Sequence, residues 1–268
     1  MPSFDLTDDA PHDEPPYSTW DVARHGPGPF PGWLVTDHNA LDTDLGVLKT
    51  GKEADVHLVR RAVPAGPECL LAAKRYRSHE HRLFHRDAGY QEGRRTRKSR
   101  DARAMAKRTA YGRDLAAAKW AVAEFDALGC LWQLGAPVPY PVQLHGSELM
   151  LEFIGDPDGA AAPRLAQCHP GRAELADLFA QCVAAMRLLA RAGWAHGDLS
   201  AYNLLVHHGR LVVIDVPQVV DIVTNPQGPA YLQRDCMNIC RWFATHGLDA
   251  ADLDHLFGDL MAEAVATW

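Results

Sequence analysis

Between Ala195 and Val216 the chain sets a polar loop, His196-Gly197-Asp198-Leu199-Ser200-Ala201-Tyr202-Asn203, between a helix and a hairpin that ends on a carboxylate. No other stretch constrains the fold as much. Upstream, Leu175, Leu178, Phe179, Cys182, Met186 and Leu189 recur at three- and four-residue spacing, which predicts a helix over 172–192. Gly193 follows, suited to the left-handed residue that ends many helices. Downstream, Leu204-Leu205-Val206 and Leu211-Val212-Val213-Ile214 read as paired strands, and Asp215 closes the second. The five-residue gap from Asp198 to Asn203 lets the loop double back, so that both side chains point into one cleft.

The preceding chain is of another kind. Leu45-Gly46-Val47-Leu48, Val56-His57-Leu58-Val59 and Leu70-Leu71-Ala72-Ala73-Lys74 predict an antiparallel meander, with a turn at Thr50-Gly51-Lys52-Glu53. A helix from about Asp114 carries Leu115, Ala118, Val122, Phe125 and Leu128 on one face, and Gly129 and Gly135 weaken its end. Pro137, Pro139 and Pro141 force an extended segment before a hairpin around His145-Gly146-Ser147. Two helices near 230–245 and 250–265 close the chain. The expected fold is α+β and bilobal, of the protein-kinase kind: an N-lobe antiparallel sheet with one helix, then a reduced, mostly helical C-lobe. The expected divisions are a flexible acidic, Pro-rich leader at 1–32, with Tyr17, Trp20 and Trp33 as candidates to dock parts of it onto the domain, an N-lobe at 33–154 with a basic flexible loop at 82–113, and a C-lobe at 155–268.

Composition narrows the partners. With 27 Lys+Arg against 34 Asp+Glu the formal charge is −7, which argues against a globally basic nucleic-acid binder. One local exception stands out: eight Lys/Arg and a single acid, Asp101, between Arg94 and Arg108. No apolar run approaches the ~20 residues that span a bilayer, and the acidic start is unlike a signal peptide. A cytoplasmic protein with no membrane partner is expected. The six cysteines lack a CxxC and read as buried reduced thiols. His79, His81 and His85, and the pair His207 and His208, read as loop polar residues, since nothing nearby in sequence completes a metal ligand set.

Four elements together suit phosphoryl transfer, which needs cations for the phosphates, oxygens for magnesium and a group beside the acceptor. Lys74 ends an apolar strand, where an ammonium needs a partner; Glu124 on the next helix is the candidate. His196-Gly197-Asp198 with Asn203 fits the arrangement in which the Asp faces the acceptor and the Asn supplies a metal oxygen. Asp215 places a charge at a strand end, suited to Mg2+. In the turn Lys49-Thr50-Gly51-Lys52-Glu53-Ala54-Asp55, backbone amides, the Thr50 hydroxyl and the Lys52 ammonium are candidate phosphate contacts, although the single glycine makes it neither GxGxxG nor Walker A.

These residues closely resemble the RIO family of atypical serine/threonine protein kinases, over about Leu45 to Phe243. The motifs are Thr50-Gly51-Lys52-Glu53-Ala54, Ala72-Ala73-Lys74, Leu151-Glu152-Phe153-Ile154-Gly155, His196 to Asn203, and Ile214-Asp215-Val216-Pro217-Gln218. The chain looks like the first RIO subgroup, of bacterial type, since the leader is short for a winged helix. The resemblance implies ATP and Mg2+ between the lobes. It makes Asp198 catalytic, with Asn203 and Asp215 on the metal. Thr50 to Ala54, Val56, Lys74 and Glu124 would lie at the nucleotide, and Glu152 and Ile154 would offer hinge backbone groups to adenine. It also implies a phosphorylated-aspartate ATPase step at Asp215 in some members, which act in ribosome maturation. Ser200 stands where ordinary protein kinases carry lysine. Asp-Phe-Gly and Ala-Pro-Glu are missing, and the stretch after Asp215 is short for a peptide-docking subdomain. Pro217 stands where eukaryotic relatives read serine.

The expected partners are therefore ATP, an unidentified protein acceptor or the chain itself, and ribosomal RNA or a pre-ribosomal subunit through Arg94 to Arg108. Two other readings stay open: a small-molecule kinase of the aminoglycoside/choline type, which shares the His-Gly-Asp, the spaced Asn and the strand-end Asp, and a nucleotide-sensing, RNA-binding module with little catalysis.

Overall fold

The computed structural model describes residues 17–77, 110–216, 219–248 and 252–266. The basic run, the His79/His81/His85 set and Pro217 lie outside the described residues. Six strands form one antiparallel sheet: β1 (Arg24–His25), β2 (Leu41–Thr50), β3 (Ala54–Ala62), β4 (Glu68–Tyr76), β5 (Pro141–His145) and β6 (Glu148–Glu152), in the spatial order β1-β5-β6-β4-β3-β2. The strand register pairs Val56 with Lys74 and Lys74 with Leu149, so the lysine sits on a central strand. At the sheet edge, β2 is irregular at Asp44/Gly46 and Val47/Lys49, and Gly46 takes a positive φ of 114° there.

Helix α1 (Ala110–Gln133) packs on one face of this sheet, against β4, β5 and β6. It begins earlier and ends later than the sequence periodicity indicates, running through Gly129, and Gly135 beyond it has φ 76°. Phe125, Leu128 and Leu131 are buried there with Leu144 and Leu149. Each such large side chain contributes roughly 1.5–3 kcal/mol on burial.

The opposite face of the sheet is covered by part of the leader. The leader expected to be flexible at 1–32 is built into the fold from Tyr17 onward. Successive strand residues point to opposite faces, so Val59, Leu71, Ala73, Val142 and Met150 face away from α1 and require another cover. Trp20 and Leu34 pack there, with Tyr140. Strand β1 pairs with β5 through Arg24↔Leu144 and His25↔Gln143. The Tyr140 hydroxyl donates to the Pro27 carbonyl at 2.9 Å, and Arg24 forms an ion pair with Asp126 of α1 at 2.6 Å. Arg61, wholly buried on this side, is held by Asp42 at 2.7 and 2.8 Å and by Gln143 at 2.9 Å. Among the described residues of this segment, regular structure is limited to a single 3-10 turn at Trp20–Val22 and the two-residue strand β1, and Trp20 and Leu34 are buried against the sheet.

The remaining elements are helical with two small two-stranded sheets: α2 (Arg172–Arg191), β7 (Trp194–Ala195), β8 (Leu204–His207), β9 (Arg210–Val213), β10 (Val220–Asp221), α3 (Gly228–Thr245) and α4 (Leu253–Ala266). Strand β7 pairs with β10, and β8 with β9. Gly193, with φ 77°, ends α2 as its position predicts. The apolar stripes of α2 and α3 meet at Leu178, Cys182, Cys236, Ile239 and Phe243. Three of the cysteines, Cys182, Cys236 and Cys240, are buried free thiols as expected; Cys69 and Cys168 are partly exposed and Cys130 is exposed, which corrects the expectation for that one. The α+β, bilobal architecture is as the sequence indicates.

Candidate active site

Strand β4 delivers Lys74 and Tyr76 to the same face, two residues apart, where they meet Glu124 of α1. The Lys74 ammonium lies 2.8 and 2.9 Å from the two Glu124 carboxylate oxygens, and the Tyr76 hydroxyl donates to Oε2 in a short hydrogen bond. Glu124 is only 1% exposed. Such a buried carboxylate needs compensation, and here both oxygens have donors. The same ammonium reaches Asp215 at 2.7 Å, so one lysine joins an N-lobe helix to the C-lobe strand end.

The electrostatics follow. Burial pulls the Lys74 ammonium down, but the Glu124 and Asp215 carboxylates outweigh it and hold its pKa above the ordinary value. Burial pushes the Asp215 carboxyl up, yet Lys74, with lesser help from His196 and Lys49, holds it below the ordinary value. Burial raises the Tyr76 phenol, and the Glu124 charge raises it further. Asp215 has a left-handed backbone, φ 65°, which is uncommon for a non-glycine residue. It turns the chain sharply as β9 ends and leaves the carboxyl 42% accessible at the cleft rim.

The loop before β8 is fixed from below. Asp235 on α3, 1% exposed, accepts the Gly197 and Leu199 amides at 2.8 Å each, straddling Asp198. Burial pushes its carboxyl up, against His196 and the two amides. Arg234 donates to the Gly197 carbonyl in a short bond, and Asn238 donates to the Leu199 carbonyl at 3.0 Å. Gly197 takes φ 86°. Both flanking amides are turned inward, and Asp198 itself is exposed. Asn203 folds back as its spacing predicts: Nδ2 donates to the Asp198 carbonyl at 3.0 Å, so the amide oxygen is its remaining acceptor. The Asn203 carbonyl accepts the Ile214 amide at 3.0 Å, and the His196 ring meets the Ile214 carbonyl at 3.1 Å. Loop and strand end are thus one hydrogen-bonded unit, and Lys74, Glu124 and Asp215 are in direct contact.

The turn residues are placed less uniformly. The Gly51 amide donates to the Ala54 carbonyl at 2.9 Å, and a Cβ on Gly51 would stand at 2.9 Å from that oxygen, so glycine is required. Beside the turn, Arg77 donates to the Asp55 carboxylate, Nε at 2.7 Å. Lys52 is exposed. Glu53, also exposed, uses its carbonyl to accept the Arg77 amide at 2.9 Å. Lost hydration and the Asp215 charge push its carboxyl up against the opposing pull of Lys74. Val56 flanks Lys74 on β3 and Ala54 is buried beneath the turn. At the connection between lobes, the Glu152 amide donates to the Tyr140 carbonyl at 2.9 Å and its carboxylate accepts the Tyr140 amide at 3.0 Å. The Ile154 carbonyl accepts the Ala162 amide at 2.9 Å. The Glu152 amide and the Ile154 carbonyl are therefore committed within the fold.

Sequence reasoning missed Tyr76, Arg234, Asp235 and Asn238. Two signals were available. Tyr76 follows Lys74 by the strand period of two. Asp235 interrupts the stripe Leu232, Cys236, Ile239 and Phe243 on its inward side, where an acid has to find donors.

Comparison with known proteins settles the family. The model of the RIO domain matches residues 71–256. The chain belongs to the RIO family of serine/threonine-protein kinases. It is 34% identical over 225 residues to the RIO-type serine/threonine-protein kinase Rio1 of Haloferax volcanii, covering 84% of this chain and 70% of that relative. It is 32% identical to serine/threonine-protein kinase rio1 of Dictyostelium discoideum and 30% identical to serine/threonine-protein kinase RIO1 of Homo sapiens, each over 222 residues. Those two alignments cover 79% of this chain but only 35% of each eukaryotic protein. Membership of this kinase family implies ATP as the phosphoryl donor.

Proposed function

We propose that this chain is an ATP- and Mg2+-dependent phosphotransferase that moves the γ-phosphoryl group to a serine or threonine hydroxyl, on itself or on a protein acceptor. The carrying observation is the Lys74 ammonium held between Glu124 and Asp215 from opposite sides of the cleft. It is a fixed, desolvated cation suited to phosphate oxygens. The donor set fits magnesium: the Asn203 amide oxygen and the Asp215 carboxylate are hard oxygen ligands, and Asn203 is oriented by the bond its nitrogen makes to Asp198. Bound Mg2+ supplies neutralisation of charge on the β- and γ-phosphates. Asp198 orients the acceptor hydroxyl and takes its proton as the new O–P bond forms and the bond to the ADP oxygen breaks. The rigid loop beneath Asp198 holds it in place during this exchange.

The accessible, ionised Asp215 supports a second route, in which its carboxylate attacks the γ-phosphorus, ADP leaves, and water later cleaves the acyl phosphate. A ribosomal setting rests on the family likeness and on the basic run from Arg94 to Arg108; binding of ribosomal RNA that falls steeply with salt would support it.

Incubation of the purified chain with Mg2+ and γ-labelled ATP separates the routes. Acid- and hydroxylamine-stable label on Ser or Thr supports transfer to a hydroxyl. Hydroxylamine-labile label that disappears in Asp215→Asn supports the aspartyl route. Nucleotide binding with neither label nor phosphate release overturns both.

A further inference from the structure

His207 and His208 stand at the tip of the β8–β9 hairpin, and the sequence shows no third ligand beside them. The fold supplies one. Asp156, two residues beyond Ile154 on the connection between the lobes, meets His207 Nε2 at 3.2 Å and His208 Nε2 at 3.7 Å through the same oxygen, Oδ1. One donor atom from each of the three residues lies within 4.8 Å of the others. Consecutive strand residues normally face opposite ways. Here His208 takes φ 49° and Gly209 φ 72°, and this turn brings the second imidazole round to the first, with ring centroids 4.0 Å apart.

We propose that Asp156, His207 and His208 form a site for a borderline divalent transition-metal ion of the Zn2+ class, separate from the Mg2+–nucleotide site. Four ligands about 2.0–2.1 Å from a tetrahedral ion stand about 3.3 Å from one another. The two carboxylate–imidazole distances are within a few tenths of an ångström of that edge. Two imidazoles and one carboxylate favour zinc, copper, nickel or cobalt over the hard cations magnesium and calcium. All three side chains reach solvent, with His208 76% and Asp156 53% accessible, so water has access to complete the coordination.

An ordinary ion pair accounts for the arrangement less well. Two imidazoles compete for one oxygen, and protonating both sets like charges about 4 Å apart. One cation shared by two neutral rings and a carboxylate relieves both conflicts. The backbone beneath is already fixed. The Asp156 amide donates to the Ala160 carbonyl at 2.8 Å, its carbonyl accepts the Gly159 amide at 2.9 Å, and the Val206 amide donates to the Pro163 carbonyl at 2.9 Å. The ion would therefore clasp the interlobe connection to the hairpin that runs from Asn203 to Asp215.

The test is a Co2+ titration of the tag-free full chain, without nucleotide and with millimolar Mg2+ present, read by visible ligand-field absorption. The expected result is one Co2+ per chain with intense low-symmetry bands, displaced by equimolar Zn2+. Asp156→Asn and the double variant His207→Ala/His208→Ala should each weaken Co2+ affinity by about tenfold or more. The triple variant His79→Ala/His81→Ala/His85→Ala should leave it unchanged. Zn2+ should raise the melting temperature of the parent chain and not of the double variant. No bands, bands surviving in both the Asp156 and double-histidine variants, or bands lost only in the His79/His81/His85 variant would each overturn the proposal. Circular dichroism of every variant checks that the substitutions leave the fold intact.

Discussion

The Lys74 ammonium stands 2.7 Å from Asp215, a residue 141 positions along the chain and on the other side of the cleft. The lysine is shared with Glu124, so it serves as a structural link within the N-lobe and an electrostatic link between lobes. The two roles are separable by experiment.

Lys74→Met should leave the buried Glu124 carboxylate with Tyr76 as its remaining donor, at a cost of about 3 kcal/mol. The double variant Lys74→Met/Glu124→Gln should regain most of that stability, since no buried charge is left uncompensated. Neither variant should bind ATP measurably. Urea denaturation and isothermal calorimetry check the two halves; recovery of ATP affinity along with stability would refute the phosphate-binding role.

Asp235→Asn should disturb the reaction more than nucleotide binding. The carboxylate bonds two amides that bracket Asp198, and a carboxamide has one acceptor oxygen for them. A loss of about 1–3 kcal/mol in stability is expected from the unmatched amide. A fall in kcat of about a hundredfold is expected from a displaced loop. The KM for ATP should change little, because Lys74 and its partners are untouched. Steady-state kinetics with denaturation curves report both.

Asn203→Asp tests whether orientation or charge matters at that position. An added negative charge by itself would strengthen a magnesium site. The Asn203 nitrogen, however, donates to the Asp198 carbonyl, and a carboxylate there faces that oxygen with no proton to give. Turnover at saturating Mg2+ should fall by about a hundredfold or more. Retained turnover with tighter Mg2+ dependence would contradict the assignment.

The acid limb of stability should depend on Asp44. Burial pushes this carboxyl up, but Arg75, the Gly46 amide and His57 outweigh that and hold it at about 2. Its folded value lies below its unfolded one, so its contribution is complete above the unfolded value of ~3.9 and disappears as pH falls toward 2. Asp44→Asn should flatten the stability curve between about pH 4 and 2. At pH 7 the change should stay within about 1 kcal/mol, because the Arg75–Asp44 pair is open to solvent. Thermal melts across that range measure it.

The sequence was most informative where local rules and chemistry coincide. The Lys74–Glu124 pairing was legible because Lys74 lies in an otherwise apolar central strand, and the Asp198–Asn203 spacing because the loop folds back there. Helix α2 and its Gly193 terminus were legible from local periodicity. The aromatics Tyr17, Trp20 and Trp33 marked the docked segment, but not the face it covers, because that face exists only after β3, β4, β5 and β6 have paired. Asp235 escaped notice because its partners are backbone amides 36 and 38 residues earlier, which no side-chain pattern records.

The exposed Arg24–Asp126 ion pair and the buried Trp20 tie the N-terminal segment to α1 and the sheet face. Asp126 is two residues from Glu124 on the same helix, so the segment laid over the back of the sheet anchors the helix that carries the Lys74 partner. A gene trimmed to begin at residue 33 would strip Trp20 and Arg24 together, baring an apolar sheet face and unmooring α1. Loss of activity in such a product would reflect a loosened helix rather than a missing ligand contact.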